Sequence, residues 1–101
     1  MVAHMPEASD ILTTLRTALP ELRQRWPIRS LALFGSIARG DAGPASDLDV
    51  LVDFEHPVTL SAFLALEDAL ASLTARRVDL VSARALKPHI GQRVRAEAVA
   101  V

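Results

Sequence analysis

Neither cysteine nor tyrosine occurs among the 101 residues, and aromatic side chains are few, with one Trp and three Phe. The lack of cysteine excludes disulfides, zinc–thiolate sites and a cysteine nucleophile, so any catalysis must draw on other side chains. Charge of one sign is not in surplus either. Eleven Lys and Arg stand against twelve Asp and Glu, a net charge of -1, which argues against general nucleic-acid binding and against an anionic membrane surface. No apolar run approaches the roughly 20 residues that cross a bilayer, and Met1 to Asp10 lacks the basic start and apolar stretch of a secretory signal. The chain therefore reads as cytoplasmic. Internal repeats, low-complexity tracts and Gly/Ser linkers are also missing. Half of the residues are apolar, which fits one compact domain over 1–101 with a real core and a flexible start at 1–8.

The periodic segments alternate. Ser9 can cap a first helix whose Ile11, Leu12, Leu15, Ala18 and Leu19 form one stripe, with Pro20 in the first turn of a continuation through Trp26, at the core edge, and Pro27 ending it. Ile28 to Phe34 and Asp47 to Phe54 are short apolar runs that predict strands. Thr59 or Ser61 opens a helix with Leu60, Phe63, Leu64, Leu66, Leu70 and Leu73 at three- and four-residue spacing, a pattern more often core than interface. Arg77 to Val81 predicts a third strand. A last helix carries Leu86, Ile90 and Val94 with Pro88 in its first turn, and Ala98 to Val101 fits either a helix end or an apolar tail. The predicted order α, β, β, α, β, α gives an α/β (α+β) fold, a small mixed sheet with helices packed on it.

The charges segregate. Gly40 to Ala75 holds seven acids and no Lys or Arg, whereas Arg76 to Arg95 holds six bases and one acid, Asp79. Such runs are usually solvated faces. Here, however, the acids crowd one predicted strand, where Asp47, Asp49 and Asp53 share a face opposite Leu48, Val50, Val52 and Phe54. Asp47 and Asp49 are about 6.5 Å apart along a strand, close enough to converge on hard cations. Asp79, opposite Val78 and Leu80, emerges beside them if those apolar residues join the same core. Three acids from two strands can hold two magnesium ions about 3.5–4 Å apart, an arrangement for in-line displacement at phosphorus.

Gly35-Ser36 supplies the other half of such a site. Gly35 follows an apolar strand and lets the backbone pass close to a ligand, and Ser36 adds a hydroxyl donor. Arg39, three residues on, brings a guanidinium able to grip phosphate oxygens. A strand, a Gly-Ser turn, a loop containing Gly40, Gly43 and Pro44, and a returning strand with Asp-x-Asp form a nucleotide cradle.

Gly35-Ser36, ten intervening residues and Asp47-Leu48-Asp49 reproduce the G-S-x10-D-x-D signature of the polymerase-β-like nucleotidyltransferase superfamily. The stretch LFGSIARGDAGPASDLDVLVDF, the later RRVDLVS and the ending ALKPHIGQRVRAEAV resemble the minimal nucleotidyltransferases (MNT), antitoxin partners of HEPN toxins. The resemblance covers nearly the whole chain. It implies Asp47, Asp49 and Asp79 as catalytic metal ligands, Gly35 and Ser36 as the phosphate-binding turn, and Arg39 as a further nucleotide-binding residue. It further implies ATP as substrate, two Mg2+ ions with Mn2+ as a substitute, and transfer of AMP to a hydroxyl side chain, typically tyrosine, of a HEPN-domain toxin. A chain without tyrosine cannot be its own tyrosyl acceptor.

Two other functions fit the same sequence: an antitoxin that neutralises its partner by covering it, and a nucleotidyltransferase acting on a small molecule, for which no acceptor pocket is evident. Taken singly, Asp79 also reads as a strand-end carboxylate paired with Arg76 or Arg77. Asp41 and Asp53 read as structural or solvated. His4, His56 and His89 lack mutual ligand spacing and read as exposed.

Overall fold

The computed structural model describes residues 8–40, 46–86 and 88–101. Helix α1 (Ala8–Arg25) leads into strand β1 (Ile28–Phe34), a short helix α2 (Gly35–Arg39), β2 (Leu48–Phe54), α3 (Leu60–Thr74), β3 (Val78–Ser82), a 3-10 turn (Ala83–Ala85), α4 (Pro88–Glu97) and β4 (Val99–Ala100). The four strands form one mixed sheet in the order β3-β2-β1-β4. β1 runs antiparallel to both β2 and β4, and β2 runs parallel to β3. The parallel pair is joined through α3, since parallel neighbours require a crossover connection. The expected mixed sheet with packed helices is therefore present.

Several local expectations are corrected. α1 is unbroken, with Pro20 inside it and Ser9 within its first turn. Pro20 is exposed, so water can reach the carbonyl that its missing N–H leaves unmatched. Of the expected flexible start, Ala8 already belongs to α1, and 1–7 lie outside the described residues, as do Asp41, Gly43 and Pro44. β2 begins at Leu48, whose N–H donates to Arg77 O at 2.8 Å, so Asp47 stands just before the strand. The segment after Phe34 is a helix in its own right, and Val99–Ala100 is neither helix end nor free tail but a strand paired with Leu33 and Ala32.

The core lies between the sheet and α1 and α3. Leu15, Leu22, Leu33, Leu48, Val50, Val52, Phe54, Leu66 and Leu70 are buried there, each such side chain contributing about 1.5–3 kcal/mol. Trp26 is buried rather than at the edge, and its Nε1–H donates to Ala62 O at 2.8 Å. Thr59 caps α3, its hydroxyl oxygen accepting from Ala62 N at 3.1 Å. The stripe expected on α3 is only partly core. Leu66 and Leu70 are buried, whereas Leu60, Leu64 and Leu73 are exposed. Leu60 and Leu64 precede Leu66 by two and six positions, which on a helix turns them toward the opposite side. Among the described residues no helix is long and apolar enough to cross a membrane.

Candidate functional site

The alternation of β2 sends Leu48, Val50 and Val52 into the core and Asp49 and Asp53 to the other face, as the sequence pattern requires. That face is not wholly polar, because Leu51 is buried on it, apart from the main core. The antiparallel register places Phe34 opposite Asp49, and the parallel register places Asp79 opposite Asp49 on the other side. Asp49 is thus flanked by the end of β1 and by a second carboxylate.

Gly35 turns the chain from β1 into α2 at φ +75°, a left-handed conformation that L side chains rarely adopt. A Cβ there would collide with the carboxylate of Asp49. The absent side chain is what admits Asp49 into the corner between β1 and β2. α2 then runs five residues to Arg39 and closes on Gly40, at φ +82°, whose N–H donates to Ile37 O at 3.1 Å. Ile37 is fully buried and fastens this short helix to the core. Ser36, half-buried, and Arg39, exposed, sit on the two ends of the same turn-and-a-half.

Burial pushes the Asp49 carboxyl above the usual range, the negative charges of Asp79 and then Asp47 push it further, and the Arg39 guanidinium pulls it partly back. The sequence-predicted residues are therefore brought together: Gly35, Asp49 and Asp79 in adjacent register, with Asp47 and Arg39 near enough to act on Asp49. Asp47 leans on Arg77, with Nε–Oδ1 at 3.8 Å. Arg77 consequently partners Asp47, not Asp79 as in the alternative reading of Asp79 as a carboxylate paired with Arg76 or Arg77. Asp53 pairs with Arg29 at 3.8 Å, one more turn of the pleat away, as expected for a structural acid. His56 is exposed, its Nδ1 3.0 Å from Pro57 O, while the side chains of His4 and His89 lie outside the described residues.

Two contacts escaped sequence reasoning. Arg77 touches Asp47 through the start of β3, and Glu97, at the end of α4, pairs with Arg39 at 3.4 Å. The Arg39–Glu97 pair spans 58 positions, and no local pattern could have signalled it. An open groove of about 650 Å³ borders the site on the helix side, lined in part by Asp10, Thr14, Ser46, Asp47, Leu73 and Arg77.

The donor set suits a hard divalent cation. Oxygen-only carboxylate ligands are what magnesium and manganese prefer, and a cation would relieve the repulsion that raises Asp49. Among the described residues no three acidic or histidine side chains are gathered tightly enough to enclose an ion as they stand. Asp47, drawn toward Arg77, would have to turn in.

A carboxylate pair on adjacent strands beside a glycine turn suits nucleotidyl transfer, and residues 15–100 match the nucleotidyltransferase domain. The chain belongs to that family. It is 42% identical to the protein adenylyltransferase MntA of Thermococcus cleftensis over 97 residues, 96% of this chain and 95% of that one. A solved minimal nucleotidyltransferase superposes with a TM-score of 0.80 at 36% identity, covering 99% of this chain and 100% of the other. A toxin–antitoxin structure with AMP-PNP gives a TM-score of 0.68 at 27% identity over 91% of this chain and 69% of its own.

Proposed function

We propose that the chain, as a single minimal nucleotidyltransferase domain over 1–101, transfers AMP from ATP to a hydroxyl side chain of a partner HEPN toxin and so acts as its antitoxin, with tyrosine as the acceptor. The observation that carries the reading is the register of Asp49 against Asp79 beside the side-chain-free corner at Gly35. The similarity to an MntA adenylyltransferase and to a toxin–antitoxin structure with an ATP analogue supports both the nucleotide and the kind of partner.

In this reading Gly35 and Ser36 form the turn that receives the triphosphate, Ser36 through its hydroxyl, and Arg39 grips phosphate oxygens in a charge-assisted contact. Asp47, Asp49 and Asp79 would hold two magnesium ions, with manganese as a substitute. Bound there, the ions polarise phosphoryl oxygens and lower the pKa of an acceptor hydroxyl. Asp79 is the most exposed of the two facing carboxylates, which suits it to take the acceptor proton. Asp49, its charged form disfavoured by burial and by two neighbouring acids, keeps a strong demand for a cation. The acceptor comes from outside the chain.

Incubating the chain with ATP, magnesium and the cognate HEPN protein, then reading intact masses, should show AMP adducts on the partner. Asp49→Ala should abolish them while still binding the partner, because Asp49 lies off the core and its removal opens no cavity there. Full rescue of toxin-expressing cells by an adduct-free Asp49→Ala would establish neutralisation by covering instead. Adducts confined to the chain itself would overturn the partner assignment.

A further inference from the structure

β3 is an outer strand of the sheet: β2 pairs with it on one side, and among the described residues its other side meets no strand. The Leu80 N–H donates to Glu67 Oε2 at 3.0 Å, a carboxylate reaching over from the middle of α3. Glu67 is half-buried and follows Leu66, which is fully buried in the core. Leu80 is itself buried and stands opposite Val50, whereas Asp79, just before it, is exposed and stands opposite Asp49. A peptide unit is planar, so a bond to the Leu80 N–H fixes the orientation of the unit that contains the Asp79 Cα. Two carboxylates directly opposite one another on adjacent strands repel and weaken the pairing there. The repulsion is felt at Asp49, whose carboxyl is raised first by burial and then by the charge of Asp79. Of the two strands β3 is the freer to yield, and Glu67 grips it one residue beyond that pair.

We propose that Glu67 is a positioning residue for Asp79: its carboxylate on α3 holds the Asp79–Leu80 peptide, and so keeps the Asp79 carboxylate at the register of Asp49. The inference rests on the reading of Asp79 as a metal ligand. A backbone N–H on an open strand edge can be satisfied by water, so folding alone does not demand an acceptor from the protein. A carboxylate that is half-buried to reach that N–H gives up hydration of its own charge. In return the bond to an ionised acceptor is stronger than a neutral one, and it ties an outer strand to a helix anchored in the core. Magnesium demands near-ideal octahedral geometry, so a ligand that drifts with its strand binds it poorly. Residues that orient a ligand without touching the ion therefore shape its affinity. A role confined to shielding the strand edge would leave that affinity untouched.

The test uses Glu67→Met, which keeps the length of the side chain and lacks the acceptor, Glu67→Gln, whose amide oxygen still accepts, Asp79→Asn, and the double variant Glu67→Met with Asp79→Asn. Three quantities are read: hydrogen exchange of the Leu80 amide without metal, Mn2+ affinity by calorimetry in the presence of a non-hydrolysable ATP analogue, and KM and kcat for adduct formation on the partner. Glu67→Met should speed exchange at Leu80 and weaken Mn2+ binding about tenfold, the low end of the loss when a residue supporting a metal ligand is removed. It should lower kcat with the KM for ATP unchanged, and Glu67→Gln should match the wild type in all three. In the Asp79→Asn background Glu67→Met should still speed exchange but should weaken Mn2+ binding no further. Unchanged exchange at Leu80, wild-type Mn2+ affinity in Glu67→Met, a Glu67→Gln as damaged as Glu67→Met, or an equal loss of affinity in the Asp79→Asn background would each overturn the positioning role. If Asp79→Asn itself keeps wild-type Mn2+ affinity, the assignment of Asp79 to the metal fails and takes this inference with it. A weakened Asp79→Asn beside a silent Glu67→Met defeats the inference alone.

Discussion

Gly35→Ala and Gly40→Ala should damage this protein differently, although both positions are left-handed, at φ +75° and +82°. An alanine forced into that region costs about 1–2 kcal/mol, offset by the roughly 0.4–1 kcal/mol that a less flexible unfolded chain returns. Each variant should therefore lose on the order of 1 kcal/mol, a fall in melting temperature of about 4–8 °C for a domain of this size. The steric consequences separate them. At Gly35 the new Cβ would stand 3.0 Å from Asp49 Cγ and closer still to its carboxylate oxygen, whereas at Gly40 nothing among the described residues lies within 4 Å. The Asp49 carboxylate must swing out of the β1–β2 corner in the first case and is undisturbed in the second. A misplacement of about 1 Å at a reacting centre costs on the order of 10²-fold in rate. Circular-dichroism melting should report similar destabilisation in both variants, and the rate of AMP-adduct formation should collapse only in Gly35→Ala. Wild-type transfer by Gly35→Ala would refute the claim that this corner carries chemistry, and an equal loss in Gly40→Ala would show that the effect is general loosening of α2.

Asp49→Asn should stabilise the protein at neutral pH in the presence of a chelator. The folded-state pKa of Asp49 is raised, so its favourable contribution is complete below the unfolded value of about 3.9 and is lost as pH rises through the folded value. The advantage of asparagine, followed by urea melts, should accordingly vanish in acid, and an advantage greatest at acid pH would contradict the stated cause. Trp26→Phe should cost about 1–3 kcal/mol, from the lost hydrogen bond to Ala62 and the smaller buried ring, without altering adduct formation in the folded fraction. Denaturant midpoints and rates per folded molecule give the two readings, and an unchanged midpoint would mean that the indole is not locked to α3.

The residue types and spacing along the chain were enough to locate the candidate site. Period-two alternation in β2 separated Asp49 from Leu48 and Val50, and the run ending at Phe34 followed by Gly35-Ser36 marked the turn, because both signals are local and survive without knowledge of any partner strand. Pairing was not local. That β2 lies between β1 and β3, so that Asp49 meets both Gly35 and Asp79, depends on which strand edges find each other, and the sequence left it conditional on a shared core. The exposure of Leu60, Leu64 and Leu73 also depended on where α3 comes to rest, since helical spacing alone marks them apolar without saying what covers them. Val99–Ala100 is the clearest case. Two short apolar residues carry no periodicity, and only the free edge of β1 makes them a strand. With that edge filled, Glu97 reaches Arg39 across 58 positions. Such long-range contacts are set by chain packing, which brings distant residues to one corner only after the core that carries them has formed.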